Sequence, residues 1–278
     1  MKKLTLLLFW FFLACTAQAQ LIIDNAKKEV TKTSGATTTV IAGTAAPAPL
    51  GWHSKLVVTS NAANYVGITA DYLVLTDGTP SAIGDAKTTG NVSVSAYITT
   101  SGVNGLDTGV AAASTWYAAW VIAKADGTVS CLLSASFTAP TLPSGYIYKA
   151  RVGSAYVKSI GPVALYRFIQ RGRMWQFTSE VNEGLSVLNG GTLTSLSVIN
   201  ISAACPTTAV AVWGDFRASA SKRTSLSSNN SKTILTCSSG NQDTITLFYL
   251  VLETAQEMFY MVESAGSASI EVAGFEDY

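Results

Sequence analysis

One histidine, His53, occurs among 278 residues. That scarcity excludes most hydrolase and metal templates. A Ser-His-Asp triad would have to use His53, and no Gly-x-Ser-x-Gly elbow is present to offer a serine beside it. A zinc centre needs several His or Cys ligands at close spacing, and neither residue type is clustered. His53 lies in Gly51-Trp52-His53-Ser54, which reads as a surface turn. Phosphate-cradling loops are missing too, because Gly102, Gly105 and Gly109 fall in a turn region with no strand-to-helix context.

Charge is the second scarcity. Charged residues make up 13% of the chain and apolar residues 48%, the reverse of the balance that keeps a chain disordered. The formal net charge is +1, and removing Lys2 and Lys3 gives 1 − 2 = −1. The electrostatic footprint of a nucleic-acid binder is therefore absent, and no nucleic-acid partner is expected. Runs of Glu, Lys, Leu and Arg, the helix formers, are lacking as well. Ser, Thr, Ala, Gly and Asn take their place, which suits β-surfaces and turns. A chain this long buries enough surface to stand without a metal or a disulfide.

The N-terminus is the most explicit segment. Lys2 and Lys3 supply a positive start, Leu4 to Cys15 is apolar except for Thr5, and Ala17-Gln18-Ala19 offers small residues where a signal peptidase reads. Residues 1–19 are expected to be a helical secretory leader cut after Ala19. The product would be secreted or extracellular, with no stable membrane span left, since the apolar run is shorter than the ~20 residues a span needs. Cleavage would leave Cys131, Cys205 and Cys237. Cys205 and Cys237 share the C-terminal part and are candidates for one bridge in an oxidising compartment. Cys131 reads as a small buried hydrophobe.

After the leader, residues 20–50 read as an arm or linker rich in Thr, Ala and Gly. From Leu50 the pattern is short alternating strands between turn residues, at Lys55 to Thr59, Tyr72 to Leu75, Val92 to Ile98, Tyr117 to Ala123 and Thr128 to Ala135. Asp126-Gly127 marks a tight hairpin with one core face. Ala164 to Phe177 reads as a second hairpin around Arg171-Gly172-Arg173. Further strands are expected at Leu193 to Ile201, Thr208 to Gly214, Thr233 to Cys237, Thr244 to Leu252, Met258 to Glu263 and Ser267 to Ala273, with Arg217 to Ser231 as a long polar loop. The fold class is all-β, with a β-rich lobe over 51–178 and a C-terminal β-sandwich or jelly-roll-like lobe over 179–278.

Few residues suggest chemistry. Two carboxylates suffice for a glycosidase, but nothing pairs any two of Asp71, Asp77, Glu180, Glu183, Glu253 and Glu257. Asp107, or Asn241 with Asp243, offers calcium ligands without a spaced acidic loop around them. No enzyme activity and no cofactor are expected. Trp116, Tyr117 and Trp120 form an aromatic cluster read as core, with Trp116 and Trp120 on one face. The basic-aromatic hairpin of Arg167, Arg171, Arg173 and Trp175 is the candidate binding site, because guanidinium forks suit an anionic glycan or phosphate.

Gly105-Leu106-Asp107-Thr108-Gly109 and Thr115-Trp116-Tyr117 begin a stretch that resembles phage and prophage tail-fibre-associated structural proteins. The likeness continues through Ala139-Pro140-Thr141-Leu142-Pro143-Ser144-Gly145-Tyr146, Lys149-Ala150-Arg151-Val152-Gly153 and Gln170-Arg171-Gly172-Arg173, and extends to Gly274-Phe275-Glu276-Asp277. The resemblance implies a non-enzymatic, homo-oligomeric, β-rich structural or receptor-binding part on a virion surface, contacting a host receptor or cell-surface glycan. The leader departs from that pattern, since tail parts assemble in the cytoplasm. It raises the alternative expectation, a secreted bacterial adhesin or carbohydrate-binding β-sandwich protein.

Overall fold

The computed structural model describes residues 51–278 except 63, 79–85, 161–162, 179–183, 220–221, 232–234, 239–243 and 264. The expected leader and arm, and Glu180, Glu183, Asn241 and Asp243, lie outside the described residues. Every described regular element is a strand, so the chain is all-β. No described helix is long and apolar enough to cross a membrane.

The strands of the first half are β1 (His53–Ser54), β2 (Val57–Ala62), β3 (Tyr65–Thr76), β4 (Ala86–Tyr97), β5 (Thr115–Lys124), β6 (Val129–Ser134), β7 (Tyr146–Ile160), β8 (Val163–Leu165), β9 (Phe168–Arg171) and β10 (Met174–Phe177). The remainder are β11 (Leu185–Gly191), β12 (Ser197–Asn200), β13 (Ala209–Ala218), β14 (Arg223–Ser227), β15 (Leu235–Ser238), β16 (Thr244–Val251), β17 (Glu257–Val262) and β18 (Ala268–Asp277).

Fourteen strands form one antiparallel sheet whose main path is β16-β13-β18-β10-β9-β2-β3-β7-β5-β6. The other four form a small sheet, β12-β17-β14-β15. Strand β3 joins β7 only through Thr76 and Lys149, and beyond that join the β7-β5-β6 portion packs face to face on β9-β10-β18. Trp116 of β5 meets Trp175 of β10 at 5.6 Å and Phe275 of β18 at 5.4 Å between ring centroids. Strand β10 pairs with β18 across the 178/179 division expected from the sequence. One hydrophobic cluster contains Val58, Val121, Trp175, Phe216 and Tyr260, from both sides of that division.

Both expected hairpins form. Between β5 and β6, Lys124 N donates to Thr128 O, Thr128 N donates to the Asp126 side chain, and Gly127 takes φ +98°, which costs glycine little. Between β9 and β10, Arg171 faces Met174 across Gly172 and Arg173. Two local readings are corrected. β5 is buried on both faces rather than one, because Phe137 and Leu142 cover Ala118, Trp120, Ile122 and Leu132. Trp116 and Trp120, at alternate positions of β5, contribute to different clusters. The polar loop expected at Arg217 to Ser231 contains β14, with Thr224, Ser225, Leu226 and Ser227 buried. Small hydroxyl side chains fit there between β15 and β17.

Candidate binding face

The outward face of the large sheet is open along β16, β13, β18, β10 and β9, and strand alternation decides what it displays. In β10, Met174 and Gln176 are exposed while Trp175 and Phe177 turn inward. Trp175 is fully buried, lies near-parallel to Phe168 (4.8 Å) and Phe275 (4.7 Å), and donates its indole N–H to Ser154 O at 3.0 Å. It is the centre of the aromatic core and has no surface left to bind with.

Arg167 and Arg171 are exposed. Arg173 is tied to the last strand: its Nε donates to Asp277 O at 3.0 Å, lies 3.3 Å from Glu276 Oε1, and its guanidinium sits 5.5 Å from the Tyr278 ring centroid. That makes Arg173 a staple for β18.

A different set of aromatics shares the outward face. Tyr249 of β16 stands opposite Trp213 of β13, and Trp213 stands opposite Gly274 of β18. Gly274 is required by that neighbour, because a Cβ there would lie 2.4 Å from Trp213 Cζ2 and 2.3 Å from Trp175 O. The indole is thereby laid against the sheet. Tyr249 is half exposed, and its hydroxyl donates to Glu276 Oε2 at 2.6 Å. That hydrogen bond, followed by partial burial and the carboxylate's charge, raises the Tyr249 pKa above its usual value. Leu247 and Val251 flank Tyr249, and Met174 lies beside Glu276 on the far side of β18. The result is an apolar and aromatic strip edged by Glu276, Arg173 and Gln176. Flat rings beside a few hydrogen-bonding groups suit a ligand with one apolar face and a polar rim. Sequence reasoning passes over Trp213; the available signal is the Trp213-Gly214 step that ends the apolar run Ala209 to Val212.

Most carboxylates are occupied structurally. Asp107 accepts from Thr108 N (2.8 Å), Ser134 Oγ (2.6 Å) and Thr141 N (2.9 Å). Glu253 accepts from Ser228 Oγ and Asn229 Nδ2, both at 2.7 Å. Asp71 pairs with Lys55 at 2.8 Å on the surface. His53 is half buried, with Nδ1 2.6 Å from Gly51 O. Among the described residues no three His, Cys, Asp or Glu side chains are grouped to hold a metal. A separate cleft of about 450 Å3 is lined by Trp52, Val74, Trp120, Lys149 and Arg151, but Arg151 there is engaged by Asp277. Cys131 and Cys205 are free buried thiols, and the side chain of Cys237, the other half of the expected bridge, lies outside the described residues.

Compared with family models, with curated proteins and with solved structures, the chain matches none.

Proposed function

We propose that this chain is a non-enzymatic structural or receptor-binding protein of the tail-fibre-like kind, and that it contacts a cell-surface glycan or host receptor through the Trp213–Tyr249 strip. The observation that carries the reading is the indole of Trp213 laid over Gly274 on the sheet, with Tyr249 and Glu276 beside it. Pyranose rings have an apolar C–H face and a hydroxyl rim, and such a strip answers both. The alternative of a secreted adhesin or carbohydrate-binding module uses the same face and differs in where the protein is displayed.

A glycan array and a host-cell binding assay, run on the wild type and Trp213→Ala, test it. Loss of at least about tenfold in affinity for the same ligands is expected, corresponding to one stacked ring. Arg171→Ala, at the hairpin first suggested by the sequence, should leave binding unchanged. Full binding by Trp213→Ala, or its loss in Arg171→Ala alone, would move the site elsewhere.

A further inference from the structure

The two ends of the large sheet are treated differently. At one end, β6 is capped: Asn104 N donates to Cys131 O, Leu133 N to Gly105 O, and Asp107 N to Leu133 O, each at 2.8 Å. A strand edge is a template for pairing, and this loop consumes it. At the other end, β16 hydrogen-bonds only β13 among the described strands. Its eight residues, Thr-Ile-Thr-Leu-Phe-Tyr-Leu-Val, carry no charge and no proline, so the strand itself lacks the residues that commonly blunt an edge. Four of its side chains are apolar and exposed: Ile245 at 57%, Leu247 at 82%, Tyr249 at 51% and Val251 at 59%.

We infer that β16 is the dimerisation edge of this protein, and that its occupant is the β16 of a second copy, paired antiparallel about a twofold axis at Phe248. The symmetry of the strand favours a second copy. Centring at Phe248 sets Leu247 opposite the partner's Tyr249 and Ile245 opposite the partner's Val251. These are aliphatic–aromatic and β-branched cross-strand pairs, the favourable kinds. Every outward side chain stays outward, since facing residues of antiparallel strands share a face. A twofold contact also closes on itself and does not propagate into a filament. No charge on the strand opposes the approach of its own copy. The contact is smaller than the ~800 Å2 per partner of a standard interface, so a dimer that dissociates on dilution is expected. The inference is independent of the glycan reading; if both hold, the two outward strips lie side by side across the axis.

Charge-swapped variants of the full chain test both the edge and the register. Ile245→Glu introduces a charge opposite the partner's Val251, and within its own chain it faces Arg217, a compatible neighbour. Val251→Lys does the reverse. Light scattering across a dilution series should give twice the chain mass for the wild type. Each single variant should raise the dissociation constant by about tenfold or more, and the double variant Ile245→Glu/Val251→Lys should restore association, because each charge then meets its opposite across the axis. A wild type that stays monomeric at high concentration overturns the inference, as does a dimer indifferent to both single changes. Hydrogen exchange supplies the remaining arm: protection of the β16 amides that do not bond β13, at dilutions where the protein is monomeric, would mean that another part of the same chain covers the edge, which also overturns it.

Discussion

Arg151 and Asp277, 126 positions apart, form an ion pair at 2.8 Å with both side chains fully buried. Ser154 Oγ adds a 2.8 Å hydrogen bond to the same carboxylate oxygen, and Arg151 donates to Tyr278 O as well. The pair ties β7 to the last strand, β18, through the core. Removing one partner of such a pair leaves a buried charge without its counter-ion, whereas removing both does not. Asp277→Ala is therefore expected to lose about 3–5 kcal/mol. Arg151→Met combined with Asp277→Leu should recover much of that loss. Urea denaturation of the three proteins checks it; a double variant as unstable as Asp277→Ala would show that shape, not charge, is what the site demands.

That ion pair also marks how far local sequence patterns reach. The all-β class and both hairpins follow from local alternation and from Asp126-Gly127 and Arg171-Gly172-Arg173, whose preferences act within a few residues. Strand β7 is not legible in this way. Its Arg151 and Ser154 look like surface positions, and the carboxylate that permits their burial lies on β18. β14 is hidden likewise, because serine signals a loop unless neighbouring strands enclose it. The basic neighbours of Trp175 suggest a binding site, yet alternation with Met174 and Gln176 turns the ring inward. The aromatic strip assembles from β16, β13 and β18, so its members are close only after the sheet forms.

Gly274→Ala separates packing from binding on that strip. The added methyl would meet the Trp175 carbonyl oxygen at 2.3 Å and the Trp213 ring at 2.4 Å. One contact is backbone, so relief requires β18 or β10 to shift. A loss of about 1–3 kcal/mol is expected, as for other overpacked sites, together with displacement of the indole. Thermal unfolding should report the first effect and weakened glycan binding the second. A variant with unchanged stability would contradict the close approach of Trp213 to Gly274.

The free thiols predict an alkaline limit. Burial pushes Cys131 from 9.0 up to about 12, and burial reinforced by the Asp277 charge does the same to Cys205. Between 9.0 and about 12 the unfolded chain releases these protons while the folded chain keeps them. The folded state then binds more protons than the unfolded state, so stability falls as pH rises through that window and is unaffected by these groups below it. Replacing both cysteines by alanine should flatten the decline between about pH 9 and 11, measured by denaturant titration at each pH, even though the cavities lower stability overall. Alkylation after denaturation without reductant should label both residues; a Cys205–Cys237 peptide would remove Cys205 from this account.

Asp107 controls the capped end of the sheet. Its carboxylate accepts from Thr108 N, Ser134 Oγ and Thr141 N, holding the 104–107 loop on β6 and fixing the segment that carries Phe137 and Leu142 over Trp120. Hydrogen bonds to an ionised group contribute about 1.5–3 kcal/mol each at most, and they are lost together here. Asp107→Ala is expected to cost about 2–4 kcal/mol, since water replaces part of what is removed. It should also loosen the loop whose backbone occupies the β6 edge, giving faster exchange at Leu133 N–H and concentration-dependent association that the wild type does not show at that end. Combining Asp107→Ala with Ile245→Glu distinguishes the two edges. If β6 has become adhesive, the double variant still associates although β16 is blocked. If it stays monomeric while Leu133 exchanges slowly, the loop is held by its backbone hydrogen bonds alone and Asp107 is dispensable to the cap.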